Sequence, residues 1–166
     1  MVGAMTISAG QRIPSVTIKR ANANGGEEVD TAALFAGKRA ILFSLPGAFT
    51  PTCSSKHLPG YVANADALRA KGVDLIACLS VNDAWVMQAW ADANGVGDKI
   101  VMLADGSGAF SKALGIDADL SAFHMGLRCR RGVIHVRDGV VESIDMEAPG
   151  KFEVSSAEAC MLKLSA

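Results

Sequence analysis

Cys53 stands in residues 45–61 (LPGAFTPTCSSKHLPGY), among Thr, Pro, Ser, Lys and His rather than the leucines and valines that surround a packing cysteine. A free cysteine with a pKa of about 8.5 is only about 3% thiolate at pH 7, and a helix N-terminus or nearby cation lowers that pKa to ~3.5–7.5. Residues 39–45 (RAILFSL) read as a buried strand stopped by Pro46-Gly47, which puts Cys53 near the start of the next helix. Unpaired N–H groups and the positive end of the macrodipole at that position favour a thiolate over a thiol. Thr50, three residues earlier, can turn its hydroxyl toward the sulfur, while Pro46 and Pro51 stiffen the loop and screen it from bulk water. The chemistry expected is that of a sulfur nucleophile; the competing reading is a cysteine that packs as a small hydrophobe. His57 shares a helical face with Cys53, either as a general base or, the reading preferred here, as a hydrogen-bonding structural histidine. A lone C-x-x-x-H pair, with no C-x-x-C and no second ligand pair, does not define a metal site.

The elements that must hold these residues read as an alternating α/β pattern. Residues 15–20 alternate apolar and polar side chains before a 22–26 turn (NANGG), which predicts an N-terminal β-hairpin, with Asp30 or Thr31 capping a short helix behind it. A helix from about Cys53 to Lys71, a buried strand at 73–81 (VDLIACLSV) and a helix at 83–94 capped by Asn82 follow. A strand at 99–104, a helix at 107–114 and a hairpin of 131–137 with 140–146 about Asp138-Gly139 come next. A tail helix at 155–164 carries Ser155 and Glu158 at capping-box spacing. The expected architecture is a mixed sheet flanked by helices with an antiparallel pair at one side, all in one domain spanning residues 1–166.

Composition narrows the function classes. With 166 residues, 50% hydrophobic and a formal net charge of −1, the chain can bury a core unaided and has no electrostatic reason to meet nucleic acid or an anionic membrane. No signal-peptide pattern precedes Pro14, and the longest uncharged stretch, 40–55, is too short to span a bilayer. A reducing cytoplasmic compartment is therefore expected, where four cysteines are buried, metal-bound or reactive rather than a disulfide framework.

The segment PGAFTPTCSSKHLPGY resembles the active-site signature of the type II (atypical two-cysteine, peroxiredoxin-5-like) peroxiredoxins, P-G-A-F-T-P-x-C-S followed by H-L-P-G. The resemblance continues through residues 72–83, 103–110 and 128–139 and covers nearly all of 12–164. It implies a thioredoxin-like fold in which Thr50 takes the place of the first cysteine of a C-x-x-C motif. Residue by residue, it implies that Cys53 attacks the peroxide O–O bond and becomes a sulfenic acid, that Thr50 hydrogen-bonds peroxide and thiolate, and that Pro46 shields the site. The family's distal arginine, seven residues before the D of the hairpin's D-G, falls on Arg131, and a fixed guanidinium there lowers the thiolate's pKa and polarises the leaving oxygen. Arg128 and Arg130 lie beside it, but on a strand Arg130 and Arg131 face opposite sides. The family carries an aromatic residue after this arginine and this chain carries Gly132, which puts the packing around Arg131 in question.

Recycling of the sulfenic acid turns on the other cysteines. Cys78 matches the position of the plant members' resolving cysteine, but in a core strand it serves equally well as filler. The loop 147–155, where animal members carry theirs, has no cysteine; Cys160 reads as packing and Cys129 as a bystander. The implied reductant is then an external thiol, from glutathione with glutaredoxin or from thioredoxin, with no metal or organic cofactor. The implied substrates are hydrogen peroxide and small alkyl hydroperoxides. The resemblance also implies a homodimer packed through loops near the site, with Phe49, Trp85 and 106–110 as candidate surface. Two rival functions remain open at this level: a redox-sensing binding protein switched by oxidation of Cys53, and a scaffold with an inert cysteine.

Overall fold

The computed structural model describes residues 5–165; residues 1–4 and 166, and the side chains of Cys53 and Ser165, lie outside the described part. Its sheet has seven strands in the order β2-β1-β5-β4-β3-β8-β9. These are β1 (Thr17–Arg20), β2 (Glu27–Asp30), β3 (Arg39–Ser44), β4 (Leu75–Ser80), β5 (Val101–Ala104), β8 (Gly132–Arg137) and β9 (Val140–Met146). The strands β3, β4 and β5 run parallel, β1 and β8 pair antiparallel to the outside of that trio, and a hairpin closes each edge. The sequence predicts both hairpins and an antiparallel pair at one side, without saying where the N-terminal hairpin joins the sheet. In the structure β1 pairs with β5, through Lys19 opposite Ala104 and Arg20 opposite Leu103, and this makes the N-terminal hairpin the second antiparallel edge.

Period-two alternation in the central strands builds two cores. Ile41, Phe43, Ile76, Cys78 and Val133 face α2 (Leu58–Ala70), α3 (Ala84–Ala93) and α5 (Ala157–Ser165). Ala40, Leu42, Ala77, Leu79, Ile134 and Val136 face α1 (Thr31–Phe35) and α4 (Ala109–Leu114). All six residues of β4 are buried, which is why it reads as one continuous apolar run with no alternation. The short pair β6 (Asp117–Asp119) and β7 (Leu127–Cys129) has no counterpart in the sequence reading, because strands of three residues are too short to establish a periodicity.

Two caps differ from expectation. Asp83, not Asn82, caps α3 by accepting from the Val86 N–H at 2.8 Å. Asn82 instead accepts from Ala48 N at 3.0 Å and from Ser80 Oγ at 2.6 Å, tying the loop after β3 to the end of β4. At α5 it is Ser156 Oγ that accepts from Ala159 N, while Ser155 turns inward.

Gly132 resolves the question raised by the missing aromatic residue. Its α-hydrogens point to the face of the sheet opposite Arg131, and a Cβ there would lie 2.3 Å from Met146 Sδ and 3.0 Å from the Asp145 carbonyl oxygen. Met146, its register partner on β9, occupies the space that a side chain at 132 would need. Gly132→Phe is expected to destabilise the fold by about 1–3 kcal/mol through overpacking. Met146→Ala in the same chain should recover most of that loss, as read from urea unfolding midpoints.

Candidate active site

The site lies where the C-terminal ends of β3 and β4 meet the first turn of the long helical stretch that follows. The chain leaves β3 through Leu45, turns at Pro46-Gly47 and enters helix at Pro51. A single turn leads into a π-helical segment, Cys53–His57, which passes directly into α2. Such π segments interrupt helices mostly at functional positions, since they displace one residue from the regular ladder. The expected helix from about Cys53 thus exists with a wider first part, and Ser54 N still donates to Thr50 O at 2.9 Å.

Several side chains hold this turn. Thr50 Oγ1 donates to Gly47 O at 2.7 Å, so its hydroxyl proton is committed to the loop and its lone pairs remain as acceptors. Trp90 of α3, fully buried, donates its indole N–H to Ser54 Oγ at 2.9 Å. Phe49 sits at φ +60°, the left-handed region that a bulky residue rarely adopts, and this reverses the chain just before Thr50. Arg128 braces the loop from behind: Nη1 reaches Pro46 O at 3.4 Å and Val81 O at 3.3 Å, and Nε donates to Met125 O at 2.9 Å. A Cβ at Gly47 would lie 2.8 Å from that Nη1, so glycine is what lets the guanidinium approach.

The three arginines diverge. Arg131 Nη1 donates to His57 Nδ1 at 2.7 Å, whereas Arg130 Nη2 turns to the other face and donates to Thr6 Oγ1 at 2.8 Å. His57 is completely buried, and its Nε2 donates to Ser155 O at 3.1 Å. A guanidinium only donates and a carbonyl only accepts, so the tautomer is fixed with the proton on Nε2. Phe152 closes the group, with its ring 5.0 Å from the imidazole and 5.9 Å from the Arg131 guanidinium carbon. Burial, and then the positive charge of Arg131, push the His57 pKa down to about 3. The imidazole is therefore neutral at physiological pH and serves as a hydrogen-bonding histidine.

The remaining cysteines are sulfurs of a different kind. Cys129 is fully buried, donates to Leu45 O at 3.0 Å, and has its thiol pushed up to about 12 by burial. Cys160, against the Tyr61 hydroxyl at 3.1 Å, is pushed up to about 11 by burial. Cys78 is buried in β4 with Phe43 as its register partner, in the core beneath α2. Of the suggested association surface, Phe49 and Trp85 are exposed, but Phe110 is a core residue of α4 and drops out. Sequence reasoning missed Glu147, Phe152 and Ser155, which approach the site from the tail; the Glu147 acid next to the predicted hairpin was the available signal.

A cysteine at a helix start, a neighbouring threonine and a half-buried arginine on a thioredoxin-like α/β frame define a redox enzyme of the cysteine type. The chain belongs to the Redoxin family, whose model matches residues 8–161. It is 46% identical over 157 residues to "Peroxiredoxin-2E, chloroplastic" of Arabidopsis thaliana, covering 92% of this chain and 67% of that protein. It is 49% identical to "Peroxiredoxin-2E-2, chloroplastic" of Oryza sativa subsp. japonica, with 92% and 70% covered. The solved reduced Prx3 of Vibrio vulnificus in complex with H2O2 superposes with a TM-score of 0.91 at 48% identity, covering 96% of this chain and 99% of that one. The fold is thioredoxin-like and the chain is a thiol-dependent peroxidase of the peroxiredoxin kind. The cytoplasmic placement expected from sequence is corrected by the two chloroplastic relatives.

Because the His57 pKa is lowered in the folded state, the unfolded chain binds a proton below about pH 6.5 that the folded chain refuses until about pH 3. Stability is therefore lost progressively as pH falls across that window. His57→Gln retains a donor for Ser155 and an acceptor for Arg131 but does not titrate. Its unfolding free energy should fall less steeply between pH 6.5 and 4 than that of the wild type, as measured by denaturant titration at each pH.

Proposed function

We propose that Cys53 is the peroxidatic nucleophile of a type II peroxiredoxin that reduces hydrogen peroxide and small alkyl hydroperoxides and is recycled by an external thiol. The observation that carries the reading is the placement of Cys53 in the first turns of a helix whose entry loop and following turn are fixed by Thr50, Arg128 and the Arg131–His57 pair. The Cys53 thiolate attacks one peroxide oxygen, the O–O bond breaks, and the departing alkoxide or hydroxide takes up a proton to leave as alcohol or water. Cys53 is left as a sulfenic acid. Arg131, always charged, stabilises the thiolate and the charge growing on the leaving oxygen. Thr50 Oγ1, its own proton given to Gly47, accepts the hydrogen bond of the peroxide OH. That the Vibrio relative is described in complex with H2O2 supports the substrate class.

The burial of Cys78, Cys129 and Cys160 favours resolution from outside. A reductant thiolate, from glutathione with glutaredoxin or from thioredoxin, attacks the sulfenic sulfur and leaves a mixed disulfide, and the expelled hydroxide takes up a proton to leave as water. A second thiol then frees Cys53. Cys78 remains the internal candidate and would need the core beneath α2 to open. Sulfur carries the electrons throughout, so the proposal needs no metal or organic cofactor.

Cys53→Ser should abolish peroxide consumption, and Cys78→Ser should preserve it with a monothiol reductant. Arg131→Ala should slow single-turnover oxidation by about 100-fold, within the range for removing one preorganised donor. Arg130→Ala should leave the rate nearly unchanged, and the reverse ranking would sink the assignment.

We further propose a homodimer through the loop that carries Phe49 and the first turn of α3 that carries Trp85, residues that are 56% and 72% exposed. Sedimentation should show a wild-type dimer and a Trp85→Glu monomer.

A further inference from the structure

We propose that Glu147 is a positioning residue of this site: by fixing residues 153–155 it sets the protonation pattern of His57 and, through it, the aim of the Arg131 guanidinium. The inference rests on the reading above that Arg131 serves Cys53.

The bonds form a closed circuit that begins and ends on Arg131. Glu147 N donates to Arg131 O at 2.9 Å, as β9 leaves its pairing with β8. The Glu147 carboxylate then accepts from three successive backbone groups, Glu153 N at 2.8 Å, Val154 N at 2.9 Å and Ser155 N at 2.8 Å, and from Ser155 Oγ at 2.7 Å. Successive N–H groups converging on one point form an anion-binding concavity, and here the anion is supplied by the chain itself. Ser155 O, presented on the far side of this clasp, receives His57 Nε2 at 3.1 Å and the Tyr61 hydroxyl at 2.7 Å. His57 Nδ1 receives Arg131 Nη1 at 2.7 Å and closes the circuit. Phe152, inside the same loop, lies against both the imidazole and the guanidinium.

The clasp is built for a carboxylate in its charged form. Burial alone would raise the Glu147 pKa, yet the four hydrogen bonds outweigh it and hold the group below the usual carboxylate range. Without that anion, three N–H groups lose their shared acceptor, and among the described residues no other side chain gathers the amides of the segment joining β9 to α5. Ser155 O is then free to turn away from Nε2. An imidazole that moves its proton to Nδ1 opposes the Arg131 N–H groups donor to donor, and the guanidinium is displaced from its present line. Glu147 thus acts at a distance, on geometry rather than on the reacting atoms.

The test uses the full-length reduced protein. Glu147→Ala should slow single-turnover oxidation of Cys53 by hydrogen peroxide at least about tenfold, since a misplacement near 1 Å can cost on the order of 100-fold. Glu147→Gln, which keeps one acceptor oxygen, should recover part of the rate and serves in place of the alanine variant if that fails to fold. Arg131→Ala combined with Glu147→Ala should be no slower than Arg131→Ala alone, because both act through one guanidinium. The 15N side-chain spectrum of His57 should show a protonated Nε2 and an unprotonated Nδ1 in the wild type, and resonances drawn toward each other by tautomer exchange in the variant. A wild-type rate in the alanine variant, losses that multiply in the double variant, or an unchanged imidazole spectrum would each overturn the proposal. A wild type that consumes no peroxide would overturn the functional reading instead, and the imidazole spectrum would then decide the clasp by itself.

Discussion

The structure depends on keeping a permanent positive charge half-buried and aimed. Arg131 cannot shed its proton, so the fold must supply acceptors and exclude competing donors. A neutral imidazole 2.7 Å away does both only while its other nitrogen holds the proton, and that in turn requires the carbonyl of Ser155 to stay in place. The π-helical segment that brings His57 inward, the Phe152 ring over the guanidinium and the tail that carries Ser155 all serve this one requirement. The site is therefore assembled from three distant parts of the chain, and its electrostatics are inseparable from its topology.

Much of this frame was legible from periodicity. The apolar runs of β3 and β4, the Asp138-Gly139 hairpin and the N-terminal hairpin follow from patterns that local sterics and burial impose on sequence. The local part of the candidate site could be proposed from sequence for the same reason, since Pro46, Thr50 and Cys53 sit within eight residues on one loop and helix start. The opposed directions of Arg130 and Arg131 match the alternation expected of a strand, although in the structure the two residues form the bend between β7 and β8.

What was not legible is long-range or non-periodic. Asn82 looked like a helix cap because its side chain suits one, yet it bonds across 34 residues to Ala48, and no local rule expresses that preference. Ser155 likewise forgoes a capping role for Glu147. The exchange of a residue 132 side chain for Met146 is visible only once the register of β8 and β9 is known, because it is a trade between neighbours on paired strands. Side chains that act through tertiary partners leave no spacing to read, and the tail's contribution to the site belongs to that class.

The two edges of the sheet bear on how such molecules meet one another. The outermost strand β2 is Glu-Glu-Val-Asp, and the acidic residues on it are exposed. At the other edge, β9 skips a residue against β8 between His135 and Val136, which bends the strand away from a flat ladder, and Glu142 projects from it into solvent. Repulsion between like charges at one edge and a broken hydrogen-bond register at the other both oppose the addition of a further strand. Growth of a continuous sheet across molecules is thereby discouraged.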